Sequence, residues 1–258
     1  MKKIFSLVLL LLLICSPCYA GVDLDGNEDR LTCAAGSSLN GTTDFTVCAW
    51  IKTSSATAQI IIQQRNGGYD GQYQLVVNAD GTVSFFVYNG GYQFVGNIIT
   101  SIGTVADGNW HHILALRSAD GSGDIYIDGV QDGTAAGAVK NLVNTITTHI
   151  GGDVRDNGSW LDGQITEVVI WTNDLTSDEI ALASKSKLKG IPLQIQPANL
   201  NTYLPLNDLS DGHAGINNDV FLDLSGNGNN ATGKDDNGSG FGKAEEILNY
   251  PPAIGQFN

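Results

Sequence analysis

Tyr73-Gln74-Leu75-Val76-Val77-Asn78-Ala79-Asp80-Gly81-Thr82-Val83-Ser84-Phe85-Phe86-Val87 reads as two strands and a turn. Side chains alternate across a strand, so Tyr73, Leu75 and Val77 share one face. Val83, Phe85 and Val87 share one face of the second strand, while Thr82 and Ser84 point away. Asn78-Ala79-Asp80-Gly81 supplies the residues that a tight reversal needs. The segment is therefore a hairpin with one buried and one wetter side. The same grammar repeats outward in both directions. Asx-Gly pairs stand at Asp25-Gly26, Asn40-Gly41, Asn66-Gly67, Asp107-Gly108, Asp120-Gly121, Asp128-Gly129 and Asp162-Gly163, among others. Asp124 to Val130 is a second hairpin, closed at Asp128-Gly129. Phe45–Ile51 and Ile165–Trp171 are apolar on both faces, as central strands covered from both sides should be. Many short strands punctuated this way predict an all-β, two-sheet antiparallel jelly-roll sandwich.

One helix interrupts the pattern. Thr176 and Glu179 have the spacing of a capping box, followed by Ile180, Leu182 and Ala183. Lys185, Lys187 and Lys189 complement the helix C-terminus, and Gly190 and Pro192 stop it. Beyond Ile191 the chain is looser, with a short helical patch expected over 243–248 and an extended finish at Tyr250-Pro251-Pro252.

The ends of the chain bear on where the protein works. Lys2 and Lys3 precede an apolar run, Ile4 to Ile14, that is too short for a comfortable membrane span. Pro17 breaks the run, and Cys18-Tyr19-Ala20 places small residues for cleavage before Gly21. Residues 1–20 are read as a signal peptide, and the expected location is secreted, extracellular or periplasmic. A lipoprotein signal is the rival reading, although Ile14 before Cys15 and Pro17 before Cys18 are poor neighbours for lipidation. The whole chain has 13 basic and 27 acidic residues, a formal charge of −14. Such a polyanion repels nucleic acid and anionic membranes, and it suits calcium. Cys33 and Cys48 remain after export, and an even pair in an exported chain reads as a disulfide.

The order of motifs then resembles a known family. Leu24-Asp25-Gly26-Asn27-Glu28-Asp29, Phe45–Lys52, Asp107-Gly108-Asn109-Trp110-His111-His112-Ile113, Ile125-Tyr126-Ile127-Asp128-Gly129, Gly163–Trp171 and Leu175–Ile180 follow one another at suitable spacing. Together, residues 22–185 resemble the laminin-G-like jelly-roll domain of the concanavalin-A-like lectin/glucanase superfamily. The resemblance implies that Trp50, Trp110 and Trp171 are core, that Trp160 is core before contact, and that a histidine of the 111–112 pair is a packed structural residue. Tyr203-Leu204-Pro205-Leu206-Asn207 and Asp223-Leu224-Ser225-Gly226-Asn227-Gly228-Asn229 look like an element that precedes the first strand in such domains. Here it follows the helix. Residues 21–190 are thus read as the sandwich. Residues 191–258 either complete it in permuted order or begin a truncated second repeat.

Candidate chemistry is sparse. Glucanases of this superfamily place paired carboxylates on one strand face; here Glu167 is the only carboxylate in such a strand. Serine elbows, P-loops and zinc spacings are absent. The reading is a non-enzymatic glycan-binding or adhesion module. The alternative is an extracellular protein-interaction domain, and a glycoside hydrolase is the third option. Sugar recognition needs exposed aromatics and polar groups in loops. Tyr69, Asp70, Tyr92, Arg155 and Asp156 are the expected ligand-binding residues, in loops at 66–70, 89–93 and 153–157. Asp25 and Asp29 bracket a tight turn and are the expected calcium ligands, with Asx-turn hydrogen bonds as the alternative role.

Overall fold

The computed structural model describes residues 21–33, 39–65, 70–89, 99–139, 141–142, 146–152, 159–185, 190–206, 219–235 and 242–243. The strands are β1 (Val22–Asp25), β2 (Asp29–Cys33), β3 (Phe45–Thr53), β4 (Gln59–Gln64), β5 (Asp70–Val77), β6 (Thr82–Asn89), β7 (Ile99–Thr104) and β8 (Trp110–Arg117). They continue with β9 (Gly123–Ile127), β10 (Val130–Ala135), β11 (Thr148–Ile150), β12 (Asp162–Trp171), β13 (Leu200–Leu204), β14 (Val220–Phe221), β15 (Ala231–Asp235) and β16 (Gly242–Lys243). The helix α1 spans Ser177–Lys185. Two eight-stranded antiparallel sheets result. The first runs β10-β9-β8-β3-β12-β1-β16, with β13 also paired to β12; the second runs β14-β15-β2-β11-β4-β5-β6-β7. This is the jelly-roll sandwich expected from the alternation.

The core lies where the inward faces meet. Tyr73, Leu75, Val77, Val83 and Phe85 pack with Phe45, Val47, Ala49, Ile51, Ile165 and Ile170 of the opposing sheet. Phe45 anchors the junction, with its ring centroid 5.0 Å from Tyr73 and 5.8 Å from Phe85. The β5–β6 hairpin has the predicted register, Val77 opposite Val83 and Leu75 opposite Phe85. Its tip is held by Asp80, whose Oδ1 accepts the Thr82 N–H at 3.0 Å. At the second hairpin Asp128 and Gly129 have φ values of 53° and 80°, the pair of positive angles that a two-residue reversal requires.

β12 is the central organiser of the first sheet. One of its edges pairs β3 throughout; the other pairs β1 over 162–165 and β13 over 168–171. The change of partner falls at a bulge, where Glu167 has a φ of +50°. At the near end of β12, Gly163 lies against β3. A Cβ there would sit 2.2 Å from the Lys52 carbonyl oxygen, so only glycine lets the two backbones approach so closely.

The strands after α1 pair within both sheets. Besides β13 on β12, β15 pairs with β2, and β16 pairs with β1. Leu204, Leu206, Phe221 and Ala231 enter the common core. The Asp223–Asn230 loop clasps β13 through one carboxylate. Asp223 Oδ1 accepts N–H bonds from Tyr203 and Ser225, each at 2.9 Å, and Oδ2 accepts the Asn229 N–H at 2.9 Å. Asn227 and Asn229 donate to the carbonyls of Leu200 and Asn201. The Asn/Gly repetition thus serves backbone satisfaction. The helical patch expected over 243–248 is not helical where it is described, because Lys243 ends β16; its remainder, like the extended finish expected at 250–252, lies outside the described residues.

The capping box forms as expected. Thr176 N–H donates to Glu179 Oε2 at 2.9 Å, and Glu179 N–H reaches back to Thr176 Oγ1 at 3.5 Å. The helix buries Ile180 and Ala183 against the outside of the first sheet, with Cys48, Leu114, Leu116, Val169 and Trp171 beneath. The expected disulfide between Cys33 and Cys48 does not form. Cys48 alternates with the core residues Val47 and Ala49, so it points outward into this second cluster. Cys33 lies in the core between the sheets, and the two buried thiols are not joined in a disulfide. The first sheet itself therefore stands between the two sulfurs, and cysteines separated by a sheet cannot be bridged. Burial, then the nearby Glu167, raise the Cys48 thiol pKa, so the thiol stays protonated.

Candidate binding face

The two outer faces of the sandwich differ. That of the first sheet is closed along much of its length by α1 and residues 190–206. Trp171 Nε1 donates to the Ile195 carbonyl at 2.9 Å, and Thr166 Oγ1 to the Pro205 carbonyl at 2.8 Å. Glu167, the strand carboxylate weighed for hydrolysis, is buried there and accepts the Tyr203 hydroxyl at 2.8 Å. No helix among the described residues packs across the outer face of the second sheet.

That second face is built by register. Thr232, Thr32, His149, Gln63, Gln74 and Phe86 lie side by side across six strands, each flanked in its own strand by residues that turn inward. Arg65, Gln72 and Tyr88 share the same side. The Tyr88 hydroxyl donates to Gln74 Oε1 at 2.9 Å. The Arg65 guanidinium lies 5.4 Å from the Tyr88 ring centroid, and the Phe86 and Tyr88 rings are 6.3 Å apart at 16°. At the other end, Arg30 lies 5.6 Å from the Trp160 centroid and donates to the Glu28 carbonyl at 3.1 Å. Gly152 permits that stack, because a Cβ there would stand 2.1 Å from the Trp160 ring. The wetter side expected of the hairpin is thus packed: Gln74 is 8% exposed and Ser84 is 3% exposed, and Gln63 of the neighbouring strand is 0% exposed. Gln63 Nε2 makes a long bond of 3.5 Å to the Gly152 carbonyl, and its Oε1 has no partner among the described residues. A buried amide left in this condition is the kind of group that a ligand or ordered water completes.

The loops expected to recognise a ligand connect to this sheet. Tyr69, Tyr92, Arg155 and Asp156 lie outside the described residues, as does the side chain of Asp70, whose backbone opens β5. Their anchors are described. The 66–69 and 90–98 connections leave from the same end of the sheet, where Asp70 pairs with Asn89. The 153–158 connection leaves at Gly152, beside Gln63. Sequence reasoning missed Gln63, Gln74, Phe86, Tyr88 and Arg65. The available signal was the run of glutamines at outward positions in otherwise apolar strands.

Asp25 and Asp29 take part in the hydrogen bonds of their own turn. Asp25 Oδ1 accepts the Asn27 N–H at 2.8 Å, and Asp29 Oδ2 accepts the Asp25 N–H at 3.2 Å. No group of three or more His, Cys, Asp or Glu ligands converges among the described residues. These hydrogen bonds give Asp25 and Asp29 the Asx-turn role that was the alternative to calcium. A nearby cavity of about 190 Å³, lined by Asp23, Lys52, Asp162 and Gln164, is smaller than the ~300 Å³ at which small-molecule sites begin.

The paired histidines are structural. His112 is buried beside Trp50, 5.3 Å between ring centroids, and burial pushes its pKa down to about 4, against a smaller opposing pull from Asp128. His111 bridges two carboxylates, with Nδ1 2.8 Å from Asp128 and Nε2 3.1 Å from Asp107. The hydrogen bond to Asp128 leads in raising its pKa, with Asp107 adding to it and burial opposing.

Residues 25–181 match the family model for the concanavalin A-like lectin/glucanases superfamily of laminin-G-like domains. The chain belongs to this family. Among solved structures, it is similar to a heptameric SAP-like pentraxin from Limulus polyphemus, at 20% identity and a TM-score of 0.52, over 65% of this chain and 82% of that one. It is also similar to a Bacteroides ovatus protein described as a candidate carbohydrate binding protein, at 16% identity and a TM-score of 0.57, over 86% of this chain and 60% of that one. At these identities the likeness shows the concanavalin A-like fold. No curated protein matches the sequence.

Proposed function

We propose that this concanavalin A-like domain is an exported, non-catalytic carbohydrate-binding module. Its binding face is the outer side of the second sheet, rimmed by the loops at 66–70, 89–93 and 153–157. The observation that carries the reading is the row of half-exposed Arg65, His149 and Phe86 side chains, backed by the buried Tyr88, Gln74 and Gln63, on a sheet that no described helix covers. Aromatic rings stack on sugar faces and amides bond hydroxyls, which is the mixture that sugar sites require. The similarity to a candidate carbohydrate binding protein supports the same reading. Absence of catalysis is supported by the setting of Glu167, which is buried and bonded to Tyr203.

A glycan array probed with residues 21–258, with calcium and with chelator, tests the proposal. Binding that weakens at least tenfold in Phe86→Ala, whose ring is half-exposed on this face, supports it. Binding that survives chelation assigns recognition to side chains alone, whereas loss on chelation places a cation in the loops. No binding in either buffer refutes the reading. A second reading, a protein-interaction domain, draws on a different surface. Edge strand β14 and the residues after it expose Val220, Leu222 and Leu224, at 53%, 51% and 45%. Apolar side chains at alternate positions beside a sheet edge suit strand addition by a protein partner.

A further inference from the structure

We infer that the cavity beside Gln164, on the first sheet, is a second ligand site that takes a small α-amino acid as its zwitterion. The site is separate from the glycan-binding face and lies on the opposite sheet. Asp23, Gln164 and Lys52 stand side by side across β1, β12 and β3. Their strand neighbours Val22, Leu24, Ile165 and Ile51 belong to the core, so all three point to the outer face. The row lies two positions along β12 from Thr166, whose hydroxyl meets the covering segment at Pro205. Beyond that contact, these side chains line the cavity of about 190 Å³, with the exposed Ser54 and Asp162 also in its wall. Gln164 is 8% exposed, and its Oε1 has no hydrogen-bond partner among the described residues. A buried carbonyl oxygen costs stability until an N–H or O–H donor completes it.

The lining selects the ligand class. No aromatic ring among the described residues belongs to the wall, so the stacking that holds a sugar is missing. The space is below that of drug-sized sites; at ~30 Å³ per water it matches a molecule of about six non-hydrogen atoms. Lys52 in the wall opposes a bare metal cation, while Asp23, Asp162 and the formal charge of −14 oppose an anion. A zwitterion escapes both penalties. Its ammonium carries three donors, enough for Gln164 Oε1 and the two carboxylates, and its own carboxylate would meet Lys52 and the Ser54 hydroxyl. The Asp23 and Lys52 backbones are about 10 Å apart, two strand spacings of ~4.8 Å, with Gln164 on the strand between them. Gly108 and Gly163 add no side chain to the wall, which keeps that space open.

Calorimetry and ligand-observed NMR on the purified protein test this, with glycine and L-serine as probes. Acetate and methylammonium each carry one of the two charges, and glycerol carries hydroxyls alone. Glycine or L-serine should bind at millimolar concentration or below, at least tenfold more tightly than any of these three. Gln164→Leu should lose at least tenfold. Asp162→Asn, at an exposed position where folding is not at stake, should lose at least threefold. Phe86→Ala on the second sheet should leave binding unchanged. Melting curves of the variants verify folding. Failure of both amino acids to bind, or equal binding of acetate, methylammonium or glycerol, overturns the inference. So does the parent affinity in folded Gln164→Leu and Asp162→Asn. Each of these results leaves the glycan-binding proposal standing, because the glycan array reads the opposite face.

Discussion

Phe221→Ala tests whether the segment after α1 is part of the sandwich. Phe221 belongs to the short β14, and its neighbours Leu222 and Leu224 are about half exposed, yet it is itself 0% exposed within the common core. Truncating a buried phenylalanine costs about 3–5 kcal/mol, from lost transfer energy and the cavity left behind. For a domain of this size each kcal/mol lowers Tm by about 2–4 °C, so the expected fall is roughly 6–20 °C. The assay is urea and thermal unfolding followed by tryptophan fluorescence, with Leu222→Ala as a control expected to stay within about 0.5 kcal/mol. Two results would refute the reasoning. One is a loss under about 1 kcal/mol for Phe221→Ala. The other is a separate low-temperature transition that alone responds to it. Either would mean that residues 191–258 form an independent unit, as a truncated repeat would. A shift of the single main transition supports a sandwich completed in permuted order.

Since the first sheet stands between Cys33 and Cys48, reducing agent should leave Tm unchanged, and native-state alkylation should label neither thiol; a drop in Tm on reduction would contradict the structure. His111 should tie stability to pH. Its pKa is raised in the folded state, so its contribution is fully present below the unfolded value of ~6.5 and is lost as pH rises through the folded pKa. His111→Gln should therefore destabilise more at pH 5.5 than at pH 9, as read from urea midpoints; an equal loss at both would show that the charge is irrelevant. Gly152→Ala should displace the Trp160 ring, costing about 1–3 kcal/mol by overpacking, and it should weaken glycan binding, whereas the parent affinity in a folded variant would remove Trp160 from the face.

The sequence by itself determined the fold and much of its interior. Period-two alternation in Tyr73–Val87 set which side chains face the core, because a one-residue slip would turn every one of them outward. Asp128-Gly129 located its hairpin through the positive φ angles that few residues adopt, and Thr176 with Glu179 located the start of the helix through bonds local in sequence. What only the tertiary structure decided depends on which strands become neighbours. Cys33 and Cys48 are fifteen residues apart, and whether they meet follows from the sheet and the side to which each points. Gln63, Gln74, Tyr88 and Arg65 read as ordinary outward positions until β4, β5 and β6 are laid side by side. They share one outer face, and among the described residues α1 and residues 190–206 cover the other sheet while no helix covers this one. Local patterning encodes inside against outside for each strand; which outside is covered is set by long-range packing, which no local pattern carries.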